Sequence, residues 1–352
     1  MKVGIIGFAR SGKTTIFNAL TGAHAAVGTF GTRDANIAVI RVPDERVDRL
    51  FEIYHPKKKS YAEVQFVDVA PNEAAGEAKA LDTAALNILK NVEALVHVVR
   101  AFTNEDVLHP HKTVDPARDC RDMEAELQLS DLIILEKKLD RLGKEGLKGH
   151  EFELLSRCRK TVEDGRALRT LALTPLEEKD IAGYCFLSRK PLLLLANYGE
   201  ESIGKPDPAR LQEYAKQNDE TLIELCGAME LEVARLPEEE RQSFHEEMGL
   251  GEDSRIRFIH AVYDMLGLMS FLTVGEPEVH AWTVPKNTKA IDAAGAIHSD
   301  IQRGFIRAEV VNYRDFMAAG SMAKAREHGH VRLEGKEYMV QDGDIILFRF
   351  NV

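Results

Sequence analysis

Cysteine is scarce in this 352-residue chain: four are present, Cys120, Cys158, Cys185 and Cys226, and they lie far apart. No CxxC pair or Cys/His cluster occurs, which argues against a structural zinc site and leaves reduced, buried thiols as the reading. Long apolar runs are missing as well. None reaches 18 residues, so no transmembrane helix and no membrane partner are expected. The amino-terminal MKVGIIGFARSGK has the early Lys of a leader peptide, but its apolar run is short and flows directly into a folded motif. Basic charge is in deficit, 46 Lys and Arg against 57 Asp and Glu for a net −11, which argues against nucleic-acid binding over the whole surface. The triplet Lys57, Lys58 and Lys59 is expected to be a solvated loop. There is one tryptophan, Trp282, read as a core or interface anchor. These absences fit a cytoplasmic globular protein, and 44% hydrophobic residues over this length allow two or three domains with a large core.

What is present begins at residue 3. Val3 to Ile6 is a short β-branched run, read as a buried strand. It is followed by Gly7-Phe8-Ala9-Arg10-Ser11-Gly12-Lys13-Thr14, which fits G-x-x-x-x-G-K-[ST], and then by Thr15 to Leu20, read as a helix. This order suits a phosphate cradle. Gly7 and Gly12 allow the backbone to approach closely, and the loop amides of Ala9 to Thr15 and the helix N-terminus face an anion. Lys13 is expected on β- and γ-phosphate oxygens, and the Thr14 hydroxyl on Mg²⁺.

Further strands are expected at Ala35 to Val42, Val64 to Val69, Leu95 to Val99 and Pro191 to Ala196, alternating with helical segments, hence a parallel α/β sheet. Asp68 ends the second of these and is a candidate Mg²⁺ ligand. Asn197-Tyr198-Gly199-Glu200 follows the last, where GTPases carry N-K-x-D. Two readings stay open there: a base-recognition turn built on Asn197 and Glu200, or a polar turn with no base contact. Leu132, Leu135, Leu139 and Leu142, then Phe152, Leu155, Cys158 and Val162, recur at helical spacing on either side of a glycine-containing break, which predicts an inserted antiparallel helical hairpin. From about residue 268 short strands dominate: Met269 to Thr273, Val279 to Val284, Phe305 to Val311, Tyr338 to Val340 and Ile345 to Phe350. A helix is expected at Ile291 to Ile297. Two strands, a helix and more strands suggest a β-grasp, ubiquitin-like module.

The segments IIGFARSGKTTIFNALT, Val42-Pro43-Asp44-Glu45-Arg46-Val47-Asp48, His97-Val98-Val99-Arg100, LTVGEPEVHAWTVPKNTKAIDAAGAIHSDIQRGFIRAEVVNYRDF and LEGKEYMVQDGDIILFRFNV resemble the YchF or Obg-like ATPase family along nearly the whole chain. The resemblance implies a P-loop nucleotide-binding (G) domain over 1–117 and 189–266, a coiled-coil arm over 118–188 and a C-terminal TGS domain over 267–352. It implies ATP hydrolysis, often in preference to GTP, with Mg²⁺, and association with the ribosome or RNA through the arm and the TGS domain. The family's base motif is NxxE, matched by Asn197 and Glu200, which tilts base choice toward adenine. The family lacks the usual catalytic Gln, and a His after its HVVR strand takes the matching place, here His109. Thr32 matches its switch I Thr, a further Mg²⁺ ligand.

The sequence departs from the family at two places beside the phosphates. The family's D-x-A-G is here Asp68-Val69-Ala70-Pro71, and proline has no N–H to offer a γ-phosphate. The family's Pro-Asn-Val inside the P-loop is here Ala9-Arg10-Ser11. The alternative to slow hydrolysis is a non-hydrolysing nucleotide-binding or RNA/protein-interaction module.

Overall fold

A parallel strand is buried on both faces, and this chain supplies near-continuous apolar runs to meet that need. The protein is described here as a computed structural model covering residues 1–22, 36–69, 80–202, 205, 211–237, 240–241 and 254–351. The chain divides into two compact units, Met1–Ile40 with Gln65–Phe258 and Arg41–Val64 with Ile259–Val352.

The first unit carries β1 (Lys2–Ile6), α1 (Lys13–Thr21), β2 (Asn36–Arg41), β4 (Glu63–Asp68), α3 (Thr83–Leu89), β5 (Ala94–Ala101), α4 (Pro116–Lys144), α5 (His150–Glu163), α6 (Pro175–Ala182), β6 (Leu192–Tyr198), α7 (Leu211–Gln217), β7 (Thr221–Leu225) and α8 (Gly227–Arg235). Its sheet has the order β2-β4-β1-β5-β6-β7. The pairs of β1 with β4 and β5, of β5 with β6 and of β6 with β7 are parallel. The register sets Ile5 beside Asp68 and Ile6 beside His97, so the loop after β1 leaves the same sheet edge as the ends of β4 and β5. Ligands of open α/β sheets bind at that carboxyl edge. Ile6, Phe8, Val67, Leu95, Val99 and Leu194 form the core behind it.

The expected hairpin is present. Asp115 caps α4 through the Arg118 amide with Pro116 at the first helical position, and the helix runs unbroken for 29 residues. Leu135, Leu139 and Leu142 pack with Leu154, Leu155, Cys158 and Val162 of α5. Thr174 and Glu177 form a reciprocal capping box on α6, again with Pro at its start. Of the four thiols, Cys120, Cys158 and Cys226 are buried and Cys185 is half-buried. Among the described residues, no helix is long and apolar enough to cross a membrane.

The second unit carries α2 (Glu45–Tyr54), β3 (Lys58–Ser60), α9 (Ser254–Met265), which begins just before it, then β8 (Leu268–Val274), β9 (Glu278–Pro285), α10 (Ala290–Ile297), α11 (Ser299–Arg303), β10 (Phe305–Asn312), α12 (Tyr313–Ala319), α13 (Met322–Glu327), β11 (Arg332–Glu334) and β12 (Asp344–Phe350). The sheet order is β11-β10-β12-β8-β9-β3, with β12 parallel to β8 and the β8–β9 and β10–β12 pairs antiparallel. Without β3 this is the β-grasp order. Phe271, Val284, Phe305, Ile346 and Phe348 fill its core with α10, and half-buried Trp282 packs against them.

Two expectations need correction. Tyr338 to Val340 is not a strand. The phenol of Tyr338 is drawn to Asp344 at 2.7 Å and Met339 makes a single bridge to Lys289, while the ladder position is taken by Arg332–Glu334. The lysine triplet is not a plain loop either, since Lys58–Ser60 adds a parallel edge strand to Glu278–His280, with Lys58 paired to Glu278 at 3.2 Å. Charged residues on a short edge strand discourage further pairing.

Candidate functional site: a phosphate-binding loop

Strand β1 delivers the chain to Gly7, where a Cβ would stand 2.5 Å from the Val98 carbonyl of β5. The loop closes on itself through the Ser11 amide and the Phe8 carbonyl at 3.3 Å, and α1 begins with the Ile16 amide on the Gly12 carbonyl at 2.9 Å. Gly12 has φ +92°, and a Cβ there would lie 2.2 Å from the Asn197 side chain. Both glycines are therefore steric requirements. Lys13 is buried and its ammonium donates to the Gly7 and Phe8 carbonyls at 2.8 and 2.9 Å, spanning the loop. The first turn of α1 holds no acid, so its positive end is uncompensated. Ser11 is buried and its hydroxyl finds no hydrogen-bond partner among the described residues, whereas Ala9, Thr14 and Thr15 are half-buried and Arg10 is exposed.

A hard-oxygen corner adjoins the loop. The Thr14 hydroxyl donates to Asp68 at 3.0 Å, and the Asn36 amide reaches the same carboxylate oxygen at 3.3 Å. Asp68 is 2% exposed and its other oxygen is buried without a partner among the described residues. An orphaned carboxylate oxygen beside a hydroxyl is a donor set that fits Mg²⁺. Thr32 lies outside the described residues, as does Pro71. Among the described residues, no three His, Cys, Asp or Glu side chains gather as a metal site.

On the base side, Asn197 is a brace. Its amide nitrogen donates to the Ser11 carbonyl at 2.9 Å, and its oxygen accepts from the Gly227 amide at the start of α8 at 2.9 Å. Sequence reading missed Gly227, although a Cys-Gly-Ala turn directly after a strand is a legible start of a helix. Tyr198 is buried and its hydroxyl donates to Glu224 at 3.2 Å, so it does not stand where a Lys would cover a base. Glu200 is exposed at the end of β6. Burial raises the Cys226 thiol above its usual range against the amides of Met229 and Ala228, with Glu200 and Glu230 adding to the rise.

A family model described as 50S ribosome-binding GTPase matches residues 2–138, and one for the C-terminal part of YchF GTPases, described as a protein of unknown function, matches 268–351. The ribosome-binding ATPase YchF of Bacillus subtilis (strain 168) is 40% identical over 364 residues, covering 100% of this chain and 100% of that protein. The chain belongs to the YchF family. The YchF protein of Haemophilus ducreyi is likewise 40% identical, over 100% of this chain and 99% of its own. The solved structure of the Schizosaccharomyces pombe YchF GTPase superposes with a TM-score of 0.87 at 28% identity, covering 99% of this chain and 97% of that one.

The loop after β5 lies against the P-loop and α4. His109 is buried and its Nε2 stands 2.9 Å from Asp119 of α4, while its Nδ1 accepts from the His111 amide at 3.1 Å. An accepting Nδ1 leaves the proton on Nε2, facing the carboxylate. Burial would raise Asp119, but contact with His109 and the Arg118 guanidinium outweighs it and holds the carboxyl below the ordinary range. The Phe8 ring meets His111 edge-on at 5.1 Å. Arg100, at the end of HVVR, is also buried. Its guanidinium donates to the carbonyls of Phe102 (3.1 Å), Arg10 (3.4 Å) and Val107 (2.8 Å), fastening this loop to the P-loop. Burial drives His97 down to about 3, so it is a neutral core residue.

Proposed function

We propose that this chain binds a purine nucleoside triphosphate with Mg²⁺, hydrolyses it slowly, with ATP as the preferred substrate, and acts on the ribosome. The observation that carries this reading is the P-loop with Lys13 buried across its carbonyls beside the Thr14–Asp68 pair. The printed names of the B. subtilis and H. ducreyi relatives, ribosome-binding ATPases, supply the reaction and the partner.

In this reading the amides of Ala9 to Thr15 bind the phosphates, and Lys13 leaves its carbonyls for β- and γ-phosphate oxygens. Thr14 and Asp68, with Thr32, would hold Mg²⁺, which when bound neutralises phosphate oxygens and draws charge from the leaving group. Asn197 keeps the P-loop and the α8 turn in register around the base, and Glu200 reads its edge. His109 positions the attacking water only after it separates from Asp119. We take 1–117 with 189–266 as the nucleotide domain, 118–188 as the arm and 267–352 as the TGS domain, and assign ribosome or RNA contact to the last two.

Calorimetry with ATP, ADP, GTP and GDP, with and without Mg²⁺, tests the reading together with phosphate release by wild type and Lys13→Ala. Tight ATP binding and release abolished by the substitution are expected. Absence of affinity for any of the four nucleotides would overturn it.

The second reading is a nucleotide-binding module without turnover. The burial of His109, with its Nδ1 accepting from the His111 amide and its Nε2 turned to Asp119, favours it. Nucleotide binding with phosphate release no faster than in Lys13→Ala would select it.

A further inference from the structure

Arg10 sits inside the P-loop with φ +63°, a left-handed conformation that a long side chain seldom adopts. Backbone of this kind persists where the surroundings hold it, and it clusters at ligand sites. The Arg10 side chain is exposed, and among the described residues its hydrogen bond is a donation from Nη1 to the Leu108 carbonyl at 3.3 Å. Among the described residues no carboxylate pairs with it. Beneath it lies a second guanidinium, that of buried Arg100, which grips the Arg10 carbonyl. Burial and the Arg10 charge together lower Arg100, while the carboxylate that acts on it, Asp119, is already faced by His109 and Arg118. Two guanidinium groups thus share one end of a phosphate loop, and among the described residues neither has a carboxylate of its own. That end adjoins the Gly7 and Phe8 carbonyls spanned by the Lys13 ammonium. The same sequence carries Pro71 after Asp68-Val69-Ala70, a residue with no N–H to give an anion.

From these observations we propose that Arg10 is a catalytic residue of the proposed ATPase, an arginine supplied in cis by the P-loop that stabilises charge developing on the terminal phosphates. The proposal rests on the ATPase reading above. In the step it serves, the oxygen of a water forms a bond to the γ-phosphorus, and the bond from that phosphorus to the β–γ bridging oxygen breaks. The electron pair stays on that oxygen in ADP, and the water's proton leaves with inorganic phosphate or to solvent. Arg10 remains protonated throughout. Its guanidinium exchanges the weak Leu108 contact for the charged oxygens, a planar, multi-donor match that a point charge does not reproduce. Phosphoryl transfer is catalysed mainly by such placed charge.

The test uses the full chain in single-turnover ATP hydrolysis, with ADP affinity by calorimetry and trapping of ADP by aluminium fluoride. Arg10→Asn is the principal variant, because Asn tolerates the left-handed backbone, and Arg10→Lys and Arg10→Gly accompany it. The expected result is a turnover loss of roughly 100-fold in Arg10→Asn, the scale of losing one transition-state donor. ADP affinity should stay within about threefold, since ADP lacks the terminal phosphate the guanidinium serves. Arg10→Lys should not recover turnover, aluminium fluoride trapping should be lost, and added guanidine hydrochloride should restore part of the activity of Arg10→Gly. Wild-type turnover in Arg10→Asn, full recovery in Arg10→Lys, or a parallel fall of turnover and ADP affinity would each overturn the proposal. If wild type turns over no faster than Lys13→Ala, the ATPase reading itself fails and takes this assignment with it. If only the Arg10 variants match wild type, that reading stands and Arg10 is a loop tether.

Discussion

The Nε2 of His109 stands 2.9 Å from the carboxylate of Asp119, and each side chain is 2% exposed. Replacing Asp119 with Ala removes the carboxylate that faces His109 and Arg118 and is expected to cost about 1–3 kcal/mol, the scale of leaving a buried polar group unmatched. The pH dependence has a defined sign. A carboxyl held below its ordinary value of 3.8 contributes stability that is complete above that value and is lost as pH falls through the folded-state value. The advantage of wild type over Asp119→Asn in thermal unfolding should therefore be level from neutrality down to about pH 4 and shrink below it. An advantage that grows with acidification would contradict this assignment.

Asp131 of α4 has the opposite behaviour. It is fully buried, accepts the Leu187 and Ser188 amides at 2.7 and 2.8 Å and the Ser188 hydroxyl at 2.7 Å, and burial pushes it up to about 6 against those bonds. Its folded value lies above its unfolded value, so the folded state binds the extra proton between them and stability falls as pH rises from about 4 to about 6. Unfolding midpoints of wild type and Asp131→Asn, compared across that window, should differ by an amount that changes with pH and then becomes constant above it. A constant difference throughout would show that Asp131 does not titrate there.

If Asn197 acts as a brace, its loss is indifferent to the base. Asn197→Ala removes the partners of the Ser11 carbonyl and the Gly227 amide and should weaken ADP and GDP by the same factor, on the order of 10-fold for ~1.4 kcal/mol. Gly227→Ala, whose Cβ would lie 2.9 Å from Ile16 and 3.0 Å from the Asn197 oxygen, should act in the same direction. Calorimetry with both diphosphates decides, and a loss confined to one base would make Asn197 a base reader instead.

Glu126 lies seven residues beyond Asp119 on α4, about 10 Å along the axis. Its carboxylate accepts the amides of Ala80 and Leu81 at 2.7 and 2.9 Å, the residues that lead into α3. Glu126→Ala should destabilise by ~1–3 kcal/mol, the scale of leaving a donor unanswered. Hydrogen exchange at the two amides should accelerate more than global unfolding explains. Unchanged protection at Ala80 and Leu81 would remove Glu126 from this role.

Much of this molecule is written locally. The glycines, Lys13 and Thr14 are recognisable from seven or eight adjacent residues because a phosphate loop is a backbone device. The helical spacing of Leu135, Leu139 and Leu142 likewise announces the hairpin. The β-grasp core was legible from alternating strands, except where Tyr338 exchanged ladder pairing for Asp344, a partner that strand periodicity does not encode.

The sequence by itself determined the phosphate loop, the order of strands and helices, and the family, because each depends on residues close together in the chain. Only the tertiary structure decided that Asn197 bridges Ser11 and Gly227, that Asp119 faces His109, and that Arg100 grips the Arg10 carbonyl. Those facts depend on partners brought together from different parts of the chain, 186 residues apart in the case of Asn197 and Ser11. Burial there turns ordinary polar side chains into fixed, oriented ones, since an unmatched polar group in a dry interior is costly.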